Sequence, residues 1–353
     1  MPPVAWRPLL VMIACGVCGY IFEVAAASTQ AASARAYVSN EDGASVSVLD
    51  TQSATTIATI DVGKRPRGLK LSRDGSRLFV AVSGLPKCPP TVPDEECARL
   101  ERDLQADGIA VVDTSARKVI KVLAAGSDPE QFAMSNDGKR LYVANEDTGT
   151  LSVVDADAGK VIERIEVGLE PEGVALTPNG RRVLVTNESD NSVSVIDTTT
   201  LKGTKTVPVG KRPRDMAFTP DGSTAYVSGE MDASLYRMSV TGDAPVQRLL
   251  QLREDARPMA VILDSPRNRL YLSTGRGGTV AVVDMKAAPK LIKEIPVGKR
   301  PWGMALAADG HHLYTANGPS NDVSVVDTRA LTEVKRIPVG KSPWGIVLGP
   351  APP

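Results

Sequence analysis

The chain repeats itself, and its period constrains the fold more than any single motif does. A proline recurs at Pro66, Pro129, Pro171, Pro213, Pro258, Pro301 and Pro343, at intervals of 63, 42, 42, 45, 43 and 42 residues. The one long interval carries residues 85–107, which do not fit the pattern, so it is a single interrupted repeat and the count is seven. Each repeat divides into four short strands. The first follows the proline, as in Gly173-Val174-Ala175-Leu176, and stops at a turn such as Pro178-Asn179-Gly180. Equivalent turns at Asp74-Gly75, Asp137-Gly138, Asp221-Gly222 and Asp309-Gly310 supply the positive φ of tight hairpins. The second strand reads Leu141–Asn145, the third Leu151–Asp155, and the fourth is expected through Ile165–Gly168.

Four antiparallel strands per repeat form the blade of a propeller, whose radial packing protects sheet edges. The sequence therefore predicts an all-β, seven-bladed β-propeller. The chain opens on a second-type strand at Tyr37 and finishes on a first-type strand, Gly345–Leu348. The C-terminal strand is thus expected to join the N-terminal blade and close the ring, where an open solenoid would need capping repeats.

Residues 1–34 read as an export signal, with Trp6-Arg7 flanking an apolar run from Leu9 to Phe22 and cleavage expected near 27–34, after Ala27, Ala32 or Ala34. The run is short for a membrane span, so no stable insertion is expected after cleavage. A periplasmic or secreted single domain, residues 35–353, follows. Cys15 and Cys18 leave with the signal; Cys88 and Cys97 remain inside the insertion, as a disulfide or as two free thiols. The insertion is expected to hold a helix starting at Pro93-Asp94-Glu95-Glu96, with Leu100 and Leu104 as its apolar stripe and Gly108 as its stop. Lying over one face of the ring, it is suited to a recognition flap.

Charge is balanced, 41 basic residues against 41 acidic, which argues against nucleic acid or anionic lipid as partner. Two histidines leave little for imidazole catalysis, and no C-x-x-C-H motif offers covalent haem attachment. Residues shared by most blades read as structural: the series Asp50, Asp113, Asp155, Asp197, Asp284 and Asp327, and the Asn series ending strand two, are both assigned to Asx turns. Function is expected where the blades disagree. The residue after each repeat proline should ring the channel mouth, and it reads Arg67, Glu130, Glu172, Arg214, Met259, Trp302 and Trp344. An apolar wall with a few convergent polar groups is the composition of a ligand pocket. The competing reading is that the indoles plug the channel while Arg and Glu pair across it.

The same face carries acidic loops, Glu41-Asp42, Glu146-Asp147, Glu188 with Asp190, and Glu230 with Asp232, interleaved with the basic entrances Lys64-Arg65, Lys211-Arg212, Lys299-Arg300 and Lys341. These are solvated charge or a docking surface for a charged protein. Glu41, Asp42, Glu146, Asp147, Glu188 and Asp190 are also candidate ligands for a hard ion, Ca²⁺ or a lanthanide, although no loop has the spaced calcium-loop pattern.

The strand-two motifs Tyr-Val-Ser-Asn and Tyr-Val-Ala-Asn, with Val-Ser-Val-x-Asp-Thr and Ile-Pro-Val-Gly-Lys-x-Pro-x-Gly, resemble the YVTN β-propeller repeat family over residues 35–350. With the cysteine-bearing insertion in blade two, the chain most resembles the PQQ-dependent catabolism-associated β-propeller proteins. The fifth repeat departs, with Gly229 for Asn and Ser239 for Asp. The resemblance implies a binding or accessory role in periplasmic quinoprotein alcohol oxidation, with a dehydrogenase, cytochrome or transporter component as partner; it does not make PQQ a bound cofactor. The enzymatic alternative is a propeller lactonase using Glu130 and Glu172 as a carboxylate pair.

Overall fold

The computed structural model describes residues 34–87, 96 and 99–350. The seven sheets expected from the period are present, each of four antiparallel strands. Blade one consists of β1 (Arg35–Asn40), β2 (Ser45–Asp50), β3 (Thr55–Asp61) and, from the other end of the chain, β28 (Pro343–Gly349). Tyr37 pairs with Val347 and Val38 with Ile346, so the ring closes by strand exchange between the termini of the fold.

Within a blade, strands one to three alternate inward and outward residues while lying between two neighbouring sheets, so both faces are buried. Strand three of blade three, β10 (Thr150–Asp155), shows this: Leu151, Val153 and Val154 are all fully buried. Leu151 and Val153 pack with Val174, Val183 and Val185 of blade four, and Val154 faces blade two. Strand four lies at the rim and is half-solvated. It begins earlier than the sequence suggested: β11 runs Lys160–Glu166, and Val167-Gly168 have left the sheet. Every blade has a register shift between strands three and four, at Val153/Val154 in blade three. Such bulges twist an edge strand away from pairing with another chain.

The recurrent residues divide into two structural roles. Asp50, Asp155 and Asp197 accept backbone N–H bonds two and three residues onward, closing Asx turns as expected. In blade five Ser239 does the same work, its Oγ accepting Gly242 N at 2.9 Å. The Asn series is different. Asn40, Asn145, Asn187 and Asn317 are buried and donate across to hydroxyls of strand three, Asn187 to both Ser192 and Ser194 at 2.9 Å. They are crosspieces inside the sheet, not turn formers. Gly229 has no amide to offer, and there Tyr236 bonds Asp232.

Residues 1–33 of the expected 1–34 signal, and both Cys88 and Cys97, lie outside the described residues. Of the helix expected in the insertion, residues 93–95, 97 and 98 also lie outside them, and residues 99–107 do not continue it: 99–103 are turn and irregular chain. Leu100 and Leu104 are exposed; Leu104 opens a short 3-10 turn, Leu104–Ala106, and Gly108 begins a strand, β6 (Gly108–Asp113). No helix among the described residues is long and apolar enough to cross a membrane.

Candidate functional site at the channel mouth

Seven first strands converge on the ring axis, closely enough that their backbones constrain one another. A Cβ on Gly173 would stand 2.2 Å from Arg214 O, and one on Gly68 would stand 2.6 Å from Glu130 O. Four strand-two hydroxyls lock this contact. Thr186 Oγ accepts Gly173 N at 2.8 Å and donates to Arg214 O at 3.2 Å in the next blade. Ser39, Ser228 and Ser273 likewise donate at 2.6 Å to Arg67 O, Met259 O and Trp302 O. The carbonyls so held belong to the variable position after the repeat proline, which fixes the origin of each mouth side chain.

The residue before each repeat proline has an unusual backbone. Arg65, Asp128, Glu170, Arg212, Arg257, Arg300 and Ser342 all have φ between 42° and 56°. Proline disfavours the right-handed helical region for its predecessor, and a left-handed non-glycine residue costs about 1–2 kcal/mol. The turn brings its carbonyl under the loop after strand two: Glu41 N donates to Ser342 O at 2.9 Å, and Glu188 N to Glu170 O at 2.9 Å. It also sends side chains over the channel, so Arg65, Arg212, Arg300 and Ser342 line the mouth. These arginines belong to the basic entrances expected to be solvated charge or a docking surface; Arg212 and Arg300 are exposed and Arg65 half-buried. Their variation at one fixed offset from the proline was the available signal.

The mouth encloses a cavity of about 310 Å³. Arg67, Glu130, Glu172, Arg214, Trp302 and Trp344 all line it; Met259 is buried and does not. The charged groups pair with neighbouring blades rather than across the channel. Arg67, 2 % exposed, reaches Asp128 at 2.6 Å, Glu130 at 3.2 Å and Glu146 at 3.2 Å, all in blade three. Arg214 of blade five reaches back to blade four, to Glu172 at 2.7 Å and to Glu188, which also binds Arg212. The acidic loops thus fold inward onto the basic entrances. Glu41 joins Arg65 at 3.3 Å and Lys87 at 2.8 Å, Lys87 coming from the start of the insertion. Asp147 and Asp107 hold Arg102 from its far end.

Burial without full neutralisation shifts the carboxyls. Burial raises Glu130 despite Arg67, and the Glu172 charge raises it further. Glu146 is pushed up to about 7 by burial and by the Glu130 charge, and Glu172 to about 7 by burial and by Glu146 and Glu230, against Arg214. Arg67 Nε, Arg214 Nε and Asp128 Oδ2 are buried with no hydrogen-bond partner among the described residues.

The opposite wall is aromatic. Trp302 and Trp344 stack with ring centroids 5.6 Å apart and planes inclined at 29°. Gly318, Pro319 and Pro343 extend that wall. Arg214 reaches over Trp302 at 5.4 Å and Arg300 at 4.8 Å.

The expected hard-metal carboxylates are engaged by guanidinium, ammonium or backbone N–H groups; Asp190 accepts Leu169 N at 2.7 Å. Among the described residues no three His, Cys, Asp or Glu converge as a metal centre requires.

Two families match parts of the chain: the Cytochrome D1 heme domain over residues 100–237 and the seven-bladed β-propeller Lactonase family over residues 197–344. Each match spans less than half of the sequence. No curated protein matches it. Among solved structures, hydrazine synthase of Kuenenia stuttgartiensis is 21% identical with a TM-score of 0.71, covering 83% of this chain and 92% of its own. A putative 6-phosphogluconolactonase of Bacteroides fragilis is 16% identical with a TM-score of 0.73, covering 91% and 99%. A dihydro-heme d1 dehydrogenase is 18% identical with a TM-score of 0.60, covering 86% and 63%. These likenesses establish the seven-bladed propeller. The residues present do not fit a haem held by imidazole: His311 and His312 lie at the hairpin between strands one and two of blade seven, the end of the blade away from the mouth.

Proposed function

We propose that the protein is a non-enzymatic, exported binding propeller that holds a small molecule at its channel mouth and serves quinoprotein-dependent alcohol oxidation. The observation carrying this reading is the mouth itself: a cavity with an indole wall on one side and a partly unsatisfied charge network on the other. A channel merely plugged for stability would leave no such volume, and buried polar atoms without partners call for a reason. The pathway assignment rests on the repeat motifs and the export signal. The mixed-charge rim around the cavity, with Lys87 and Arg102 at either end of the insertion, suits docking of a charged partner such as a quinoprotein dehydrogenase, cytochrome or transporter component.

The test is a pull-down from native periplasmic extract, with a variant lacking residues 86–106 as control, alongside tryptophan fluorescence of the protein in small-molecule fractions of that extract. Recovery of a redox partner and quenching that disappears in Trp344→Ala support the proposal. Neither partner nor quenching, with the fold intact by circular dichroism, overturns it.

A lactonase reading has its own support, in the partial family match and in carboxyls that titrate near neutrality. Glu130 and Glu172, however, both lie outside the matched segment. Turnover of 6-phosphogluconolactone that is lost in Glu172→Gln would establish hydrolysis; unchanged turnover in that variant would remove this site from it.

A further inference from the structure

Six cations line the mouth, and five of them are committed. Arg65, Arg67, Lys87, Arg212 and Arg214 each have a carboxylate within 4 Å. Arg300 has none among the described residues. Partial desolvation lowers its pKa; the Glu230 charge offsets this in part, while the Arg214 and Arg276 charges oppose its own. It stays exposed to solvent and poised over the face of Trp302. An arginine so placed has donors to spare and a fixed plane from which to offer them.

The wall beneath it is apolar and aromatic. Trp344, Gly318, Pro319 and Pro343 lie on that side and carry no charged group. The one hydroxyl on that side, Ser342 Oγ, is already bonded to Asp42. Stacked indoles and prolines are instead complementary to a flat conjugated face.

We infer that the mouth binds a planar aromatic or conjugated carboxylate, its ring lying against the Trp302–Trp344 wall and its carboxylate bound by Arg300. This rests on the reading of the mouth as a small-molecule site and names the chemical class it takes. The ionic side supplies no free cation to compete for the carboxylate, so Arg300 sets the orientation. Its charge and the indole plane together set the selectivity.

The test uses the full chain and a panel of three probes read by tryptophan fluorescence and calorimetry: 1-naphthoate, its neutral analogue 1-naphthalenemethanol, and the non-planar cyclohexanecarboxylate. Naphthoate should bind at least about tenfold tighter than either of the others, the loss of one charge-assisted hydrogen bond being worth roughly that factor. Arg300→Gln should bring naphthoate down to the level of the alcohol, and Trp302→Ala should erase the advantage over the cyclohexane acid. Equal binding of acid and alcohol, or an Arg300→Gln variant that keeps the preference, overturns the assigned class while leaving the mouth as a ligand site. Absence of binding by all three probes, with quenching by extract fractions retained, also overturns the class. Absence of both overturns the site itself.

Discussion

The two halves of the channel mouth occupy equivalent positions of one repeat and have opposite characters. In blades two to five the residue after the proline is Arg67, Glu130, Glu172 or Arg214, and all four are nearly inaccessible and locked in ion pairs with an adjacent blade. In blades seven and one it is Trp302, half-buried, and Trp344, itself buried, which stack on each other and line the cavity without an ion pair. The same backbone, held by the same strand-two hydroxyls, carries a cement on one side and a surface on the other. Buried ion pairs contribute little net stability while intact and cost heavily when one partner is removed. Repetition therefore fixes a frame, and the side chain on that frame decides whether a blade braces the ring or walls the cavity.

That contrast can be broken most directly at Arg67. Replacing it with Ala strips Glu130 of its ion-pair partner and leaves Asp128 only Arg65 at 3.9 Å, and the fold should lose about 3–5 kcal/mol in urea denaturation. Arg67→Met combined with Asp128→Asn and Glu130→Gln should recover much of it; no loss in the single variant would show that the pairs are not the cement. Next in size is the backbone contact itself. Gly173→Ala should cost about 1–3 kcal/mol by overpacking against Arg214 O, and an unchanged thermal midpoint would deny the close approach at the axis.

The ionic half should also carry a pH signature. Glu146 and Glu172 titrate near 7 in the fold against an ordinary 4.5, so the folded chain binds more protons than the unfolded one between those values. Stability is then highest at the acid side of this window, falls as pH rises from about 4.5 to about 7, and levels off above. Thermal midpoints measured from pH 5 to 8 should show this decline, and Glu172→Gln should flatten it; a rise with pH in the wild type would contradict the assignment. The smallest stability effect belongs to the aromatic half. Arg300→Gln should change stability by no more than about 0.5 kcal/mol, as for an exposed side chain, so a larger loss would place Arg300 in the cement.

The period alone made the ring, its blade count and its closure legible, because each depends only on where prolines, glycines and alternating apolar residues recur. The site was half legible. The variable position after the proline identified Arg67, Glu130, Glu172, Arg214, Trp302 and Trp344, since a side chain that differs at a fixed backbone position is free of the fold's demands. Met259 occupies the same position but lies buried, its side chain against Gly275 and not against the cavity. The partners of the charges were not legible. Which carboxylate Arg67 chooses depends on the left-handed turn at Asp128, and a turn before proline leaves no mark in composition. The Asn series was misassigned to turns for a related reason: an amide capping a loop and an amide bridging two strands occupy the same end of the same strand.

One wall of the cavity stands on the last strand to be made. Trp344 belongs to β28, which pairs with β1 across three hundred residues of chain. Assembly of the ring and assembly of the binding surface are therefore one event. A chain shortened by its final dozen residues keeps six four-stranded blades but loses Ser342, Pro343 and Trp344 from the cavity wall.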